Sequence, residues 1–261
     1  MIDTKGTRVV TIGNQKGGVC KTTSALALGE ALRLKGFSVL FVDCDPQADL
    51  TYTLNASQKG LTLKDVLEKK VPAAEVIQRT PAGDVIASCP DLASADKWLT
   101  DPRALRKALE PLRGQYDYVV IDTPRALAML AIIAFAASDD IIITATADVY
   151  TLNAVTQLND TVSLIREKIN PSLRIAGILM CRQDARTIIS RDIEEILRQQ
   201  AKEKLGTKVF RTTIRQGKHV REAALLQRGL FDYAPGSNPA QDYMSFTEEY
   251  LEGGLTHGKE H

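Results

Sequence analysis

The sequence predicts an α/β protein built on a doubly wound, mostly parallel sheet with helices on both faces. Three observations carry that expectation. Strand-like runs alternate with helical stretches from end to end. Some of those runs, Ile141–Thr144 and Arg174–Met180 among them, are apolar enough to be central strands covered on both sides. The first run closes on a glycine-rich turn that opens directly into a helix. With 261 residues, 44% of them hydrophobic, the chain can bury a substantial core. One domain over residues 1–252 is the simpler reading, followed by a polar tail at 253–261 that is expected to fray.

In chain order, Arg8–Gly13 is the first strand, and the helix behind it runs from about Thr22 to Lys35, where Gly36 suits a left-handed stop. Ser38–Asp43 is the second strand, ending at the aspartates Asp43 and Asp45. Thr62 and Asp65 form a capping box for a short helix. Asp101–Leu112 reads as another helix, with Pro102 in its first turn, where a missing N–H costs nothing. Tyr116–Ile121 is a β-rich run leading into Asp122, and the strands at 141–144 and 174–180 follow, each with a helix after it. Beyond Thr187, Ile189, Ile193, Ile196 and Leu197 recur at helical spacing, with Arg191, Glu194, Glu195 and Arg198 elsewhere on the helix.

Composition narrows the function. Lys and Arg number 33 against 32 Asp and Glu, a net charge of +1, so any nucleic-acid or membrane surface must be local. Met1–Thr7 is polar and the longest apolar run, Leu127–Ala137, is too short to cross a bilayer, so a soluble, cytoplasmic protein is expected. Cys20, Cys44, Cys89 and Cys181 form no CxxC pair, which argues against a zinc site, an iron–sulfur cluster or a disulfide framework. Cys89 and Cys181 read as small buried hydrophobes. His219, His257 and His261 have no metal-ligand spacing.

The chemistry concentrates in Gly13-Asn-Gln-Lys-Gly-Gly-Val-Cys-Lys-Thr-Thr23, between a strand and a helix N-terminus. Backbone N–H groups converge on phosphate oxygens at such a place, and the helix dipole favours negative charge. Gly17 and Gly18 permit close backbone approach, Lys21 would reach the β- and γ-phosphates, and the Thr22 hydroxyl would complete a Mg²⁺ shell. The pattern departs from the plain GxxxxGK sequence followed by Ser or Thr: Gln15 and Cys20 stand in the glycine positions, and Lys16 is an additional lysine.

Lys16-Gly-Gly-Val-Cys-Lys-Thr-Thr23 resembles the deviant Walker A motif, KGGxxKT followed by Ser or Thr, of the ParA and MinD ATPases. Asp43-Cys-Asp-Pro-Gln47 resembles that family's DxDPQ switch, Val119-Val-Ile-Asp-Thr-Pro124 its Walker B strand and DTP turn, and Asp184-Ala-Arg-Thr187 its DxRT turn. The order and reach of these motifs point to a ParA/Soj-type partition ATPase of the P-loop NTPase fold, with ATP and Mg²⁺ as cofactors. The resemblance implies nucleotide contacts from Lys16, Gly17, Gly18, Val19, Cys20, Lys21, Thr22 and Thr23, with Lys16 crossing to the nucleotide of a second subunit in a homodimer. It implies that Asp45 positions the attacking water, and that Thr22, Asp45 and Asp122 serve the metal. Lys16, Lys21 and Asp45 are thus the candidate catalytic residues, while Asp43 is as readily a strand-end cap. Cys20 and Arg125 stand where the family usually has glycine and a second proline, which leaves open an ATP-binding scaffold with little turnover.

Residues 182–228 hold 12 Lys and Arg against 6 Asp and Glu, whereas 229–261 hold 1 against 6. A basic stretch on a neutral chain is an electrostatic footprint for duplex DNA, or else a solvated helix surface with its own ion pairs. In ParA-like proteins arginines of this third bind DNA without sequence preference, and the resemblance implies Arg186 for that role. Lys218, His219 and Arg221 are the other candidates. No membrane partner is expected, because Phe246–Glu252 carries an acidic face, unlike the basic amphipathic helix of MinD-like proteins. The family resemblance also implies a ParB-like centromere-binding or cargo-adaptor protein, and nucleoid association in the ATP state.

Overall fold

The computed structural model describes residues 6–148, 150–183, 188–203 and 205–255. Among the described residues, eight strands form one sheet: β1 (Arg8–Gly13), β2 (Val39–Asp43), β3 (Ile77–Thr80), β4 (Gly83–Ile86), β5 (Tyr118–Asp122), β6 (Asp140–Ala145), β7 (Arg174–Gln183) and β8 (Val209–Arg215). Their spatial order is β3-β4-β2-β5-β1-β6-β7-β8. β3 and β4 form an antiparallel pair, and every other pairing is parallel. The helices are α1 (Lys21–Leu34), α2 (Asp49–Thr53), α3 (Leu63–Leu67), α4 (Ala104–Leu109), α5 (Met129–Ala137), α6 (Thr151–Lys168), α7 (Ile188–Glu203), α8 (His219–Leu225), α9 (Leu230–Tyr233) and α10 (Asn238–Leu255).

Side chains alternate across each strand, and both faces are covered. Leu40 and Val42 of β2 join Val119 and Ile121 of β5 in a cluster with Leu63 of α3, Leu105 of α4 and Ile133 of α5. Phe41 and Val120 point the other way, into Leu28 and Leu32 of α1 and Phe246 and Tyr250 of α10. β2, β5 and β6 are buried along their whole lengths, which explains their unbroken apolar character.

The expected elements shift in three places. The 101–112 helix shortens to α4 with a 3₁₀ turn at Glu110–Leu112. Asp101 Oδ1 accepts from the Arg103 N–H at 2.9 Å, holding a turn before the helix, and Pro111 lacks the N–H that an α-ladder requires. On α7, Ile193, Leu197 and Ala201 form the buried stripe while Ile196 is 43% exposed. At roughly 100° per residue, Ile196 lies well to one side of a stripe repeating every fourth residue. α10 continues to Leu255, past the expected start of the tail at 253, because Phe246 and Tyr250 anchor the helix that leads into Gly253. The Thr62 and Asp65 capping box is present as expected, and Cys89 and Cys181 are buried. Among the described residues, no helix is long and apolar enough to cross a membrane.

Candidate active site

Parallel pairing sets the ends of β1, β2 and β5 side by side. Asp122 is in register with Ile12 on one side and Asp43 on the other, so the glycine loop and both aspartate motifs share the carboxyl edge of the sheet. The Thr123 hydroxyl donates to the Ile12 carbonyl at 2.7 Å and ties the two strand ends together.

The loop is built from within. Buried Asn14 donates through Nδ2 to the Thr144 carbonyl of β6 at 2.6 Å, and its Oδ1 accepts from the Lys16 N–H at 2.9 Å. Gly18 adopts φ 75°, which glycine tolerates. Cys20 adopts φ 64° and ψ 25°, left-handed in a position usually given to glycine, and its carbonyl starts α1 by accepting from Ser24 N–H at 2.8 Å. The Lys21 side chain folds back under the loop, where Nζ donates to the Lys16 carbonyl at 3.2 Å. Burial pushes the Lys21 ammonium below its ordinary pKa, and Asp122 and Asp45 oppose that shift.

Three carboxyls lie behind the loop with different environments. Asp43 is fully buried: Oδ1 accepts from Asp45 N–H at 3.0 Å, and Oδ2 accepts from the Thr51 N–H at 2.8 Å and its hydroxyl at 2.7 Å. Both Asp43 oxygens thus accept hydrogen bonds that shape the turn presenting Asp45. Burial pushes Asp43 up to about 7. Ser88 completes the clamp, donating from Oγ to the Asp45 carbonyl at 2.6 Å. The Asp45 carboxyl accepts from Gln47 N–H at 3.0 Å and is raised by burial, with Lys21 and Arg125 acting against the rise. Asp122 is raised well above the carboxylate range by burial and by Asp43, while the Thr22 hydroxyl and Lys21 work the other way. Among the described residues, Asp122 Oδ2 is buried with no hydrogen-bond partner, an orphaned acceptor of the kind a hydrated divalent cation satisfies.

Besides Lys21, three further cations among the described residues lie at the loop. Lys16 Nζ pairs with its own chain's Asp148 and lies 3.5 Å from the Thr146 hydroxyl. Arg125 lies against Gly17, so a Cβ there would meet its Nε at 3.3 Å. Arg182 donates to the Gly18 carbonyl at 3.2 Å. Beside the loop is a cavity of about 460 Å³ lined by Cys20, Thr23, Arg182, Gln216, Gly217 and Tyr243. Val19 is buried under the loop and Thr23 faces the cavity from α1. Asn14, Thr51, Ser88 and Arg182 escape sequence reading because their partners lie between 8 and 164 residues away.

Of the DNA-binding candidates, Arg186 lies outside the described residues. Lys218 immediately precedes α8, and His219 and Arg221 are in its first turn. Lys218 pairs with Glu222 at 3.5 Å, whereas Arg221 is exposed and forms no ion pair among the described residues. Much of the basic stretch is neutralised at home: Arg211 meets Glu252 at 3.3 Å, Arg215 meets Asp242 at 2.7 Å, and Arg228 meets Asp232 at 2.6 Å. Two of these pairings join β8 to α10, so the basic and acidic stretches counted along the sequence pack together.

A glycine loop turning into a helix N-terminus, with a lysine beneath it and, behind it, a carboxylate oxygen that has no partner among the described residues, is arranged to receive phosphate and metal, which places the chain among the P-loop nucleotide-binding proteins. Residues 7–175 match the AAA domain family. The sporulation initiation inhibitor protein Soj of Bacillus subtilis is 32% identical over 255 residues, covering 95% of this chain and 99% of that one. The chromosome partitioning protein ParA of Caulobacter vibrioides is 34% identical over 254 residues, 94% of each. A cobyrinic acid a,c-diamide synthase from Mycobacterium smegmatis, crystallised with ADP and magnesium, superimposes with a TM-score of 0.82 at 30% identity over 96% of each chain. The chain belongs to the ParA/Soj family of partition ATPases.

Proposed function

We propose that this chain is a nucleotide-switched partition ATPase that binds ATP with Mg²⁺ and hydrolyses it slowly to ADP and phosphate. In the ATP state it pairs with a second copy and holds duplex DNA without sequence preference. A ParB-like or cargo-adaptor protein stimulates turnover, and the cycle positions or segregates DNA or another cargo in the cytoplasm, on the nucleoid when ATP is bound. The observation that carries the reading is the meeting of Lys21, Asp45 and the orphaned Asp122 Oδ2 at one sheet edge beneath the loop.

Backbone N–H groups of Gly17–Thr23 cradle the phosphates, and Lys21 turns from the Lys16 carbonyl to the β- and γ-phosphate oxygens. Thr22, Asp45 and Asp122 are the residues that would hold Mg²⁺, which supplies charge neutralisation between phosphate oxygens when bound. Asp45, fixed by the Asp43 and Ser88 contacts, orients the attacking water. The cavity at Arg182, Gln216 and Gly217 accepts the base. Lys16 exchanges Asp148 for the nucleotide of the second copy, which makes dimerisation nucleotide-dependent.

Titration calorimetry with Mg·ATP tests the site and light scattering tests the dimer. Lys21→Ala should lose most of the ATP affinity, and Lys16→Ala should keep it yet remain monomeric. Unchanged binding by Lys21→Ala overturns the site assignment, and wild-type dimerisation by Lys16→Ala overturns the shared-nucleotide arrangement.

A further inference from the structure

We propose that Arg125 is a direct contact for the terminal phosphate of the nucleotide, so that it sets this protein's preference for ATP over ADP. The inference rests on the nucleotide-binding reading of the 13–23 loop.

Arg125 follows Asp122-Thr-Pro at the end of β5, one strand from the loop. Its side chain lies flat along the loop: a Cβ built on Gly17 would fall 3.1 Å from Cδ, 3.3 Å from Nε and 3.4 Å from Nη1. Gly17, unlike Gly18, is not left-handed, so its backbone does not call for glycine. What glycine supplies there is the space that the arginine occupies.

The guanidinium faces the reacting groups from this position. Its charge acts on both Lys21 and Asp45, lowering each, although burial is the larger influence on both. Among the described residues it has no carboxylate at ion-pair distance, whereas Lys16 is paired with Asp148 and Lys21 is held by a carbonyl. Two cations, Lys21 and Arg125, therefore converge on one loop, both within electrostatic reach of Asp45 yet neither ion-paired among the described residues. Their mutual repulsion is relieved by a ligand with negative charge in the cleft. A guanidinium offers a planar fork to a phosphate's oxygens, and the γ-phosphate is the part of ATP that ADP lacks. Charge gathers on those oxygens during transfer, so the contact also favours turnover.

The test measures affinities for Mg·ADP and for a non-hydrolysable, imido-bridged ATP analogue in wild type, Arg125→Ala and Arg125→Lys, with melting curves to confirm folding. Arg125→Ala should weaken analogue binding about tenfold to a hundredfold, the range for a charge-assisted hydrogen bond, and should leave ADP affinity within about twofold. Arg125→Lys should recover part of the loss, and single-turnover hydrolysis should fall in Arg125→Ala. An unchanged analogue-to-ADP ratio, or equal losses for both ligands, overturns the proposal while leaving the loop assignment in place. If the wild type binds neither nucleotide, both fall together.

Discussion

Replacing Cys20 with glycine should raise the rate of ATP hydrolysis while leaving ATP binding and stability nearly unchanged. The backbone angles of Cys20, φ 64° and ψ 25°, place an L residue in the left-handed region. That conformation costs about 1–2 kcal/mol, which glycine does not incur. Two terms oppose the gain in folding stability. Glycine has more unfolded-state freedom to lose, about 0.5–1 kcal/mol, and deleting a partly buried thiol forfeits about 0.8 kcal/mol of apolar burial. The net change should lie within about 1 kcal/mol, moving the melting midpoint by less than about 4 °C. Catalysis is affected differently, because the strain sits in the loop that places the phosphates. If about 1 kcal/mol of it reaches the barrier, single-turnover hydrolysis rises about fivefold. Cys20→Val is the contrasting variant: a β-branched residue at positive φ is a genuine outlier, so both its stability and its ATP affinity should fall. Hydrogen bonding with Cys181 and the Arg182 charge hold the Cys20 thiol below its ordinary pKa although burial opposes them, so the assays are run under reducing and oxidising conditions. Equal hydrolysis by wild type and Cys20→Gly refutes the strain argument, and oxidant sensitivity that persists in Cys20→Gly removes this thiol from any redox effect.

Glu30 gives a pH signature remote from the loop: it is buried, accepts from Leu230 N–H at 3.0 Å, and is pushed up to about 7 by burial. Because its folded pKa exceeds an unfolded value of about 4.3, its stabilisation is complete below that value and is lost as pH rises through about 7. Glu30→Gln should flatten the stability profile between pH 5 and 8 by about 3 kcal/mol in denaturant melts, and parallel profiles for the two proteins would reject the assignment. For DNA, Arg221→Glu should weaken ATP-state binding to every duplex and reduce the salt slope by about 1 for each DNA phosphate no longer neutralised, whereas Lys218→Ala, already paired with Glu222, should do less. A filter-binding series that is sequence-selective or indifferent to salt would reject this mechanism.

The loop and the two aspartate strands were legible in the sequence because their chemistry is local: strand, glycine turn, Lys-Thr-Thr and helix must follow one another to hold phosphate. Asp43 shows where that legibility ends. Its position at a strand end could be read, but its work could not, since the Thr51 and Ser88 contacts that fix Asp45 exist only after folding. Lys16 is similar: its place in a motif resembling the deviant Walker A loop named it, while its Asp148 partner is 132 residues away. Arg125 could be seen only as a departure from a pattern. Its place over Gly17 depends on β5 lying beside β1.

Charge was the least legible property, and it bears on how nucleotide and DNA could be coupled. Counted along the chain, the basic stretch looks like a broad footprint, yet α10 covers β8 and returns carboxylates to Arg211 and Arg215. Among the described residues of that stretch, exposed Arg221 at the start of α8 forms no ion pair and stays available for a polyanion. Arg221 also lines the cavity beside Cys20 and Thr23, together with Arg182, whose guanidinium is bound to the Gly18 carbonyl. A nucleotide can shift a DNA-binding equilibrium only by contacting its two states differently. A base entering that cavity would meet the loop through Arg182 and α8 through Arg221, so one ligand bears on both the phosphate loop and the DNA candidate. Coupling by this route needs no distant relay, and it predicts that salt-sensitive DNA binding should change with the nucleotide in wild type and lose that dependence when Arg221 is replaced.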